Sequence, residues 1–271
     1  MTDIDQLPPL RESLADHGLL ADKSFGQHFL LDLNITRKIA RLAGPLEGQT
    51  VIEVGPGPGG LTRALVEAGA NVIAVEKDAR FLPLLNELAA VSDGRLTLVE
   101  ADALKVDEAA LAGGPGHVVS NLPYNVGTPL LIKWLTGPWR PVSMTLMFQK
   151  EVADRIAAPA GADAYGRLSV VSQALAKAKV VMDLPARAFT PPPKVASAVV
   201  RLDPLDDAPP AELVAALEKV TAAAFGQRRK MLRSSLRLLG GEALCERAGI
   251  DPNVRAETVP VEGFLRLARA L

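Results

Sequence analysis

The sequence predicts an α/β fold: a mostly parallel sheet flanked by helices, followed by a small, all-helical C-terminal domain. Short apolar runs alternate with helix-length segments over the first two thirds of the chain. A run such as Val51-Ile52-Glu53-Val54 is almost continuously apolar, as expected for a strand whose two faces are both covered. Beyond residue 210 only helical periodicity remains.

The predicted elements follow this alternation in order. Strands are expected at residues 50–54, 71–75, 96–99, 118–120, 144–148, 179–184 and 197–202. Residues 61–68 and 211–224 have the pattern of helices. The last two strands flank Pro191-Pro192-Pro193, and we expect them to pair in antiparallel fashion.

A polar, proline-rich stretch at residues 203–210 predicts a boundary between domains spanning residues 1–207 and 208–271. In the second domain, residues 229–239 have helical spacing. Their apolar positions are Leu232, Leu236 and Leu239, and arginines recur every four residues at Arg229, Arg233 and Arg237. We call the basic residues of positions 228–237 the basic stripe. One face of this segment is thus expected to be core and the other basic.

Composition excludes several classes of protein. Cys245 is the single cysteine, and His17, His28 and His117 lack the spacing of metal ligands, so we expect no disulfide and no bound metal. No apolar run approaches the roughly 18 residues that span a bilayer, and the N-terminus lacks the basic start of a signal peptide. The sequence therefore predicts a soluble cytoplasmic protein with no membrane partner. A monomer is expected, because no exposed apolar stripe demands a partner.

Charge is distributed unevenly along the chain. The formal net charge is −1, but residues 1–210 hold 20 basic and 24 acidic residues, whereas residues 211–271 hold 10 basic and 7 acidic ones. Positive charge is concentrated in the C-terminal part.

A glycine-rich stretch after the first predicted strand indicates a nucleotide-like ligand. Gly55, Gly57 and Gly60 let the backbone approach a ligand at the carboxyl edge of the sheet. Glu76, after the next strand, can accept the hydroxyls of a ribose, and Asp102, after the third, can accept an adenine amine. Their spacing also fits a dinucleotide site, whereas the lysine motif of triphosphate sites is absent. S-adenosylmethionine (SAM) fits better than NAD or ATP.

A second motif, Asn121-Leu122-Pro123-Tyr124, follows the fourth strand, and we call it the acceptor motif. An exocyclic amine such as adenine N6 is a poor nucleophile, since its lone pair is delocalised into the ring. The Asn121 side-chain oxygen and a backbone carbonyl can accept its two N–H bonds, while the Tyr124 ring stacks on the base. The pair of motifs predicts methyl transfer to nitrogen, with catalysis chiefly by orientation.

A base in folded RNA must be unstacked before its amine can be reached, and a second ring opposite Tyr124 would help. Phe189 is the candidate, although a core position between two strands is the alternative.

These motifs together resemble the bacterial small-subunit ribosomal RNA adenine dimethyltransferases, the KsgA/RsmA family. The similarity covers nearly the whole chain, through residues 23–30, 53–57, 121–124, 149–152, 165–169, 189–195 and 225–230. It implies a Rossmann-like methyltransferase domain that uses SAM. The implied activity is dimethylation of N6 on two adjacent adenosines near the 3′ end of 16S rRNA, late in assembly of the small subunit.

The resemblance also implies residue roles. An N-terminal segment, about residues 1–45, would cover the cofactor through His28 and Leu30; position 28 is often Asn in that family. Gly55, Glu76, Asp102 and Asn121 would contact the cofactor. With an RNA substrate implied, Arg228, Arg229, Lys230 and Arg233 of the basic stripe are expected to contact phosphates.

Three alternatives remain at this stage. A sister group with the same motifs modifies large-subunit RNA and confers drug resistance. The chain could instead act mainly as a non-catalytic ribosome assembly factor. A NAD-dependent oxidoreductase is the third, although it would leave Asp102 and the acceptor motif without a role.

Overall fold

The computed structural model describes residues 3–19, 27–227 and 229–271. Its strands are β1 Phe29–Leu30, β2 Thr50–Val54, β3 Asn71–Glu76, β4 Leu96–Glu100, β5 His117–Asn121, β6 Ser143–Gln149, β7 Ala176–Leu184, β8 Phe189–Thr190 and β9 Ser197–Pro204. Its helices are α1 Leu10–Asp16, α2 Leu33–Leu42, α3 Gly60–Glu67, α4 Leu82–Ala90, α5 Glu108–Ala112, α6 Gly127–Thr136, α7 Lys150–Ala157, α8 Arg167–Leu175, α9 Ala211–Phe225, α10 Leu232–Ser235, α11 Gly241–Arg247 and α12 Val261–Arg269.

The main sheet has seven strands in the order β4-β3-β2-β5-β6-β9-β7. Strands β2 to β6 pair in parallel, and β9 pairs with β6 in antiparallel fashion. The predicted fold class and the predicted strand positions are confirmed, with ends that differ by up to three residues. β7 and β9 are neighbours as expected, and the orientation of that pair stays a prediction.

Strand order reverses between β2 and β5, since β3 and β4 lie on one side and β6 on the other. Open α/β sheets bind ligands in the crevice that forms at such a point, outside the carboxyl ends of the strands. Here that crevice lies between the glycines after β2 and the acceptor motif at the end of β5.

The chain forms two compact units. One comprises residues up to Lys150 together with Val180–Leu202, and the other comprises Glu151–Lys179 together with Asp203–Leu271. The first contains a core built on the strands of the sheet, with Val51, Leu65 and Val72 almost fully buried. The second packs its helices around Tyr165, Phe225 and Phe264, and the Phe225 ring contacts the other two. The division into domains at residues 207 and 208 stays a prediction, and residues 151–179 cluster with the later unit.

Two predicted segments differ from the structure. Asp203 and Pro204 belong to β9, so the linker is shorter than expected. Residues 229–239 form no continuous helix: α10 ends at Ser235, and a separate 3₁₀ turn covers Arg237–Leu239. The backbone N–H groups of Leu232 and Arg233 donate to carbonyls of Val254 and Pro252, at 2.9 and 3.0 Å, so α10 begins only at Leu232. Tertiary hydrogen bonds thus override the local helical pattern.

Candidate active site

The glycine loop, residues 55–60, joins β2 to α3, and a side chain added at any of its glycines would meet neighbouring atoms. Gly57 has φ of +52°, and its N–H donates to Glu76 Oε2 at 3.0 Å. A Cβ on Gly60 would lie 2.4 Å from the Leu30 carbonyl oxygen, which is too close for any other residue. The loop therefore keeps bare backbone at the edge of the sheet, as a ligand that approaches the main chain requires.

One cavity of about 230 Å³ in the first compact unit collects the predicted cofactor residues and the acceptor motif. It is lined by the glycine loop and by segments that follow β3, β4 and β5. The predicted site residues among its lining are His28, Leu30, Gly55, Glu76, Asp102, Asn121 and Tyr124. The structure thus brings the proposed cofactor residues and the acceptor motif into one place.

The Glu76 carboxylate is held by backbone N–H groups on both oxygens. Oε2 accepts from Gly57, and Oε1 accepts from Asp78 at 2.8 Å. Burial raises the pKa of Glu76, and these N–H donors oppose that rise. Each oxygen keeps a further lone pair, so the oriented carboxylate can accept the two hydroxyls of a ribose.

Glu53, which the sequence analysis did not assign to the site, lines the same cavity. It is 1% exposed, and its Oε2 has no hydrogen-bond partner among the described residues. Burial raises the pKa of Glu53 to about 8, and the nearby Glu76 charge adds to the rise. An unpaired buried carboxyl is costly, and a positively charged ligand would offset that cost. Because Glu53 lies within an apolar strand, no signal in the sequence indicated that it belongs to the site.

Asp102 lies just after β4, where the sequence analysis expected it. Its Oδ1 accepts the N–H of Leu104 at 3.1 Å, and its Oδ2 forms an ion pair with Lys77 at 3.0 Å. The hydrogen bond from Lys77 is the main cause that lowers the pKa of Asp102. The carboxylate is therefore ionised, and an adenine amine that bound to it would lie beside the exposed Lys77 side chain.

The acceptor motif begins on β5 and continues toward α6. The Asn121 Nδ2 donates to the His28 carbonyl oxygen at 3.1 Å, an assignment that leaves Oδ1 as the free end of the amide. The Tyr124 hydroxyl pairs with Ser197 Oγ at 2.7 Å, and burial raises the pKa of Tyr124, so the side chain is a neutral phenol. The arrangement offers an oxygen that accepts a hydrogen bond beside an anchored aromatic ring.

The described part of the N-terminal segment reaches this motif. The His28 Nδ1 lies 2.8 Å from the Pro191 carbonyl oxygen, and the His28 ring lies 5.3 Å from the Tyr124 ring, tilted by 33°. Gln27 also lines the cavity and donates to Asp78 at 2.9 Å. Residues 1–2 and 20–26 of the predicted segment lie outside the described residues. His28 therefore contacts the acceptor side as well as lining the cavity.

Phe189 is not part of the cavity lining in this structure. It is 3% exposed and belongs to the main core, and β8 pairs with β1 so that Phe189 lies opposite Leu30. This is the core position that the sequence analysis gave as the alternative. Stacking on a target base would require the ring to leave the core, and that role stays a prediction.

The predicted RNA-binding residues lie in the second compact unit. Arg229, Lys230 and Arg233 are exposed, whereas Arg228 lies outside the described residues. Neither Arg229 nor Arg233 forms an ion pair within the described part of the chain. Their free guanidinium groups are available for phosphates.

SAM carries a sulfonium and an ammonium charge on an adenosine, and the cavity fits these features. Glu53 offers an orphaned carboxyl oxygen, Glu76 an oriented carboxylate and Asp102 an ionised one. Within residues 3–19, 27–227 and 229–271 no group of three or more His, Cys, Asp or Glu could hold a metal ion. In the same ranges, no helix combines the length and apolar character needed to cross a bilayer.

The chain matches the family model described as ribosomal RNA adenine dimethylase over residues 18–271. It is 71% identical to ribosomal RNA small subunit methyltransferase A of Phenylobacterium zucineum (strain HLK1) over 268 residues, 98% of this chain and 94% of that protein. It is 75% identical to the protein of the same name from Caulobacter vibrioides (strain ATCC 19089 / CIP 103742 / CB 15), covering 93% of this chain and 97% of that protein.

Solved structures agree with the fold. A dimethyladenosine transferase from Plasmodium falciparum is similar with a TM-score of 0.74 and 25% identity, covering 89% of this chain and 96% of that one. The 23S rRNA methyltransferase ErmE is similar with a TM-score of 0.70 and 26% identity, covering 90% of this chain and 99% of that one. On these matches, and with the cavity that unites its motifs, the chain belongs to the ribosomal RNA adenine dimethylase family.

Proposed function

We propose that this chain is a SAM-dependent methyltransferase that dimethylates N6 of two adjacent adenosines near the 3′ end of 16S rRNA in the small ribosomal subunit. The observation that carries the proposal is the single cavity in which the glycine loop, Glu76, Asp102 and the acceptor motif meet. Family membership supports the reaction, and the names of the relatives at 58–75% identity support the small subunit as the substrate.

Bound SAM supplies an electrophilic methyl group. The chain's own residues bind and orient the adenosine part through Glu76 and Asp102. Asn121 Oδ1, oriented by the hydrogen bond of its amide to His28, accepts an N–H of the target amine and localises the nitrogen lone pair. The Tyr124 ring, held by Ser197, stacks on the base. After transfer the nitrogen loses its proton to water, so no strong general base is needed.

The substrate is held in part by the basic stripe, whose exposed arginines are proposed to contact rRNA phosphates. The enzyme is proposed to act as a monomer, without metal, in the cytoplasm where ribosomes are assembled. Methylation of large-subunit RNA is disfavoured, because ErmE shares 26% identity with this chain and the small-subunit relatives share more than twice that. A purely non-catalytic assembly role would leave the Asn121 and Tyr124 geometry unused.

The test is transfer of labelled methyl from SAM to small particles that lack the modification, to naked small-subunit RNA and to large particles. Labelling of small particles is expected, together with calorimetric binding of SAM. Binding of NAD in place of SAM would contradict the proposal, and labelling of large particles would assign the chain to the drug-resistance group.

Variants of Tyr124 test the acceptor motif within the same assay. Tyr124→Phe removes the hydroxyl bond to Ser197 and keeps the ring, so we expect a loss of roughly fivefold, as for one hydrogen bond. Tyr124→Ala removes the stacking surface, and we expect a loss of at least about tenfold more. Equal losses in the two variants would contradict a stacking role.

A further inference from the structure

The loop between β4 and α5, residues 101–107, is held by a lysine from another helix. We call it the adenine loop, because it carries Asp102 and contributes Ala103 and Leu104 to the cavity lining. Lys133, in the last turn of α6, donates from Nζ to the carbonyl oxygens of Ala103 at 3.0 Å and Val106 at 2.7 Å. A single ammonium group thus binds the loop at two points.

The same ammonium group has a third partner at the start of α5. Its Nζ lies 2.8 Å from Glu108 Oε1, and the Glu108 side chain is 6% exposed. The Trp134 indole N–H donates to the same oxygen at 2.7 Å. A lysine ammonium has three donors, and all three are used here, so Lys133 is fully committed to this contact.

The helix that carries Lys133 is also attached to the acceptor motif. The N–H groups of Val126 and Gly127, at the start of α6, both donate to the Pro123 carbonyl oxygen at 3.1 Å. One rigid helix therefore has the acceptor motif at its N-terminus and the adenine loop at its last turn. A side chain in the last turn of α6 can therefore fix the position of the adenine loop relative to the acceptor motif.

We propose that Lys133 is a positioning residue for the cofactor: its three hydrogen bonds hold the adenine loop in the conformation that presents Asp102 to the adenine amine. This inference rests on the proposed function, because Asp102 is assigned to the cofactor there. Lys133 does not line the cavity, so it acts through Asp102. Its effect belongs to SAM affinity and not to the methyl transfer step.

The informative variant carries Lys133→Met together with Glu108→Gln. Lys133→Met alone would leave the buried Glu108 carboxylate without its cation, which threatens folding. Glu108→Gln removes that charge and keeps an oxygen for Trp134, while Ala103 and Val106 still lose their donor. Glu108→Gln alone serves as the background control. Lys38→Met is the matched control, because Lys38 is an exposed cation of α2 that does not line the cavity.

The measurement is calorimetric affinity for S-adenosylhomocysteine, with thermal unfolding of the cofactor-free proteins to verify the fold. We expect the Lys133→Met/Glu108→Gln protein to bind about five- to thirtyfold more weakly than Glu108→Gln alone. Lys38→Met should have a much smaller effect. In steady-state assays the loss should appear in the KM for SAM and not in kcat.

A double-mutant cycle with Asp102→Ala completes the test. If Lys133 acts through Asp102, its substitution should cost little further affinity once Asp102 is absent. Full additivity, or wild-type affinity in the Lys133→Met/Glu108→Gln protein, would overturn the inference. Absence of S-adenosylhomocysteine binding to the wild-type protein would instead overturn the proposed function.

Discussion

At the scale of single residues, two buried glutamates of neighbouring strands differ in how their charge is accommodated. Glu76 has a backbone N–H donor on each oxygen, whereas Glu53 Oε2 has no partner among the described residues. Desolvation raises the pKa of both, and that of Glu53 reaches about 8. The unpaired carboxyl is a cost to the folded state that a cationic ligand can offset.

This assignment predicts a pH-dependent effect of Glu53→Gln in the cofactor-free protein. The folded state holds the Glu53 proton up to a pH of about 8, whereas an unfolded glutamate releases it near 4.5. Wild-type stability should therefore fall, relative to Glu53→Gln, by about 1.4 kcal/mol for each pH unit between these values. Melting temperatures measured at pH 6 and pH 8 should show the gap between the two proteins widening. A constant gap would mean that folding does not raise the pKa of Glu53.

At the scale of elements, the turn from β2 into α3 determines how closely the N-terminal strand β1 approaches the cavity. Gly60 packs against the backbone of Leu30, and Gly57 packs against the Phe29 ring, where an added Cβ would lie 3.2 Å away. The glycine loop thus packs against β1 on one side and lines the cavity on the other.

Gly60→Ala tests this close approach. Alanine favours a helix by about 1 kcal/mol over glycine, yet its Cβ would meet the Leu30 carbonyl oxygen at 2.4 Å. We expect net destabilisation of about 1 to 3 kcal/mol and weaker SAM binding, measured by thermal unfolding and calorimetry. The matched control is Gly114→Ala, which has no atom within 4 Å of the added Cβ. Equal effects of the two substitutions would contradict the packing described.

Elements were predictable where local pattern and tertiary setting agree. The parallel strands are apolar runs because both faces of the sheet are covered, so their positions follow from composition alone. Residues 229–239 were predicted to be helical, but α10 begins only at Leu232, since the N–H groups of Leu232 and Arg233 bond to carbonyls of Val254 and Pro252. Such partners are distant in sequence and leave no periodic signal.

Prediction of the site residues was limited in the same way. Gly55, Glu76, Asp102 and Asn121 follow strands at the carboxyl edge, and this placement was sufficient to bring them together. Glu53 was missed because a carboxyl within an apolar strand resembles any strand residue. The contacts of Lys133 were missed because they depend on a helix and a loop that meet only in the fold.

At the scale of the whole molecule, the sign of the net charge changes along the chain. Residues 211–271 have a net charge of +3, from 10 basic and 7 acidic residues, whereas the whole chain has −1. A net charge of −1 gives no overall electrostatic attraction to nucleic acid. The proposed binding of rRNA would therefore depend on local groups, for which the exposed Arg229 and Arg233 are the candidates.

Replacing Arg229 and Arg233 with alanine tests that role. If both contact phosphates, small-particle affinity should fall, and the slope of log affinity against log salt should become shallower by about 1 to 2. The matched control is Arg155→Ala with Arg269→Ala, which removes the same charge from arginines that already pair with Glu151 and Glu262, at 3.6 and 2.9 Å. Affinity that is unchanged across salt in the first protein would contradict phosphate contact.

The measurement that most directly tests the central claim is nucleoside mass spectrometry of RNA from unmodified small particles incubated with the protein and SAM. The account predicts N6,N6-dimethyladenosine at two adjacent positions near the 3′ end of 16S rRNA, and its loss with Asn121→Ala. Methylation of any other atom or RNA, or full dimethylation by Asn121→Ala, would contradict it.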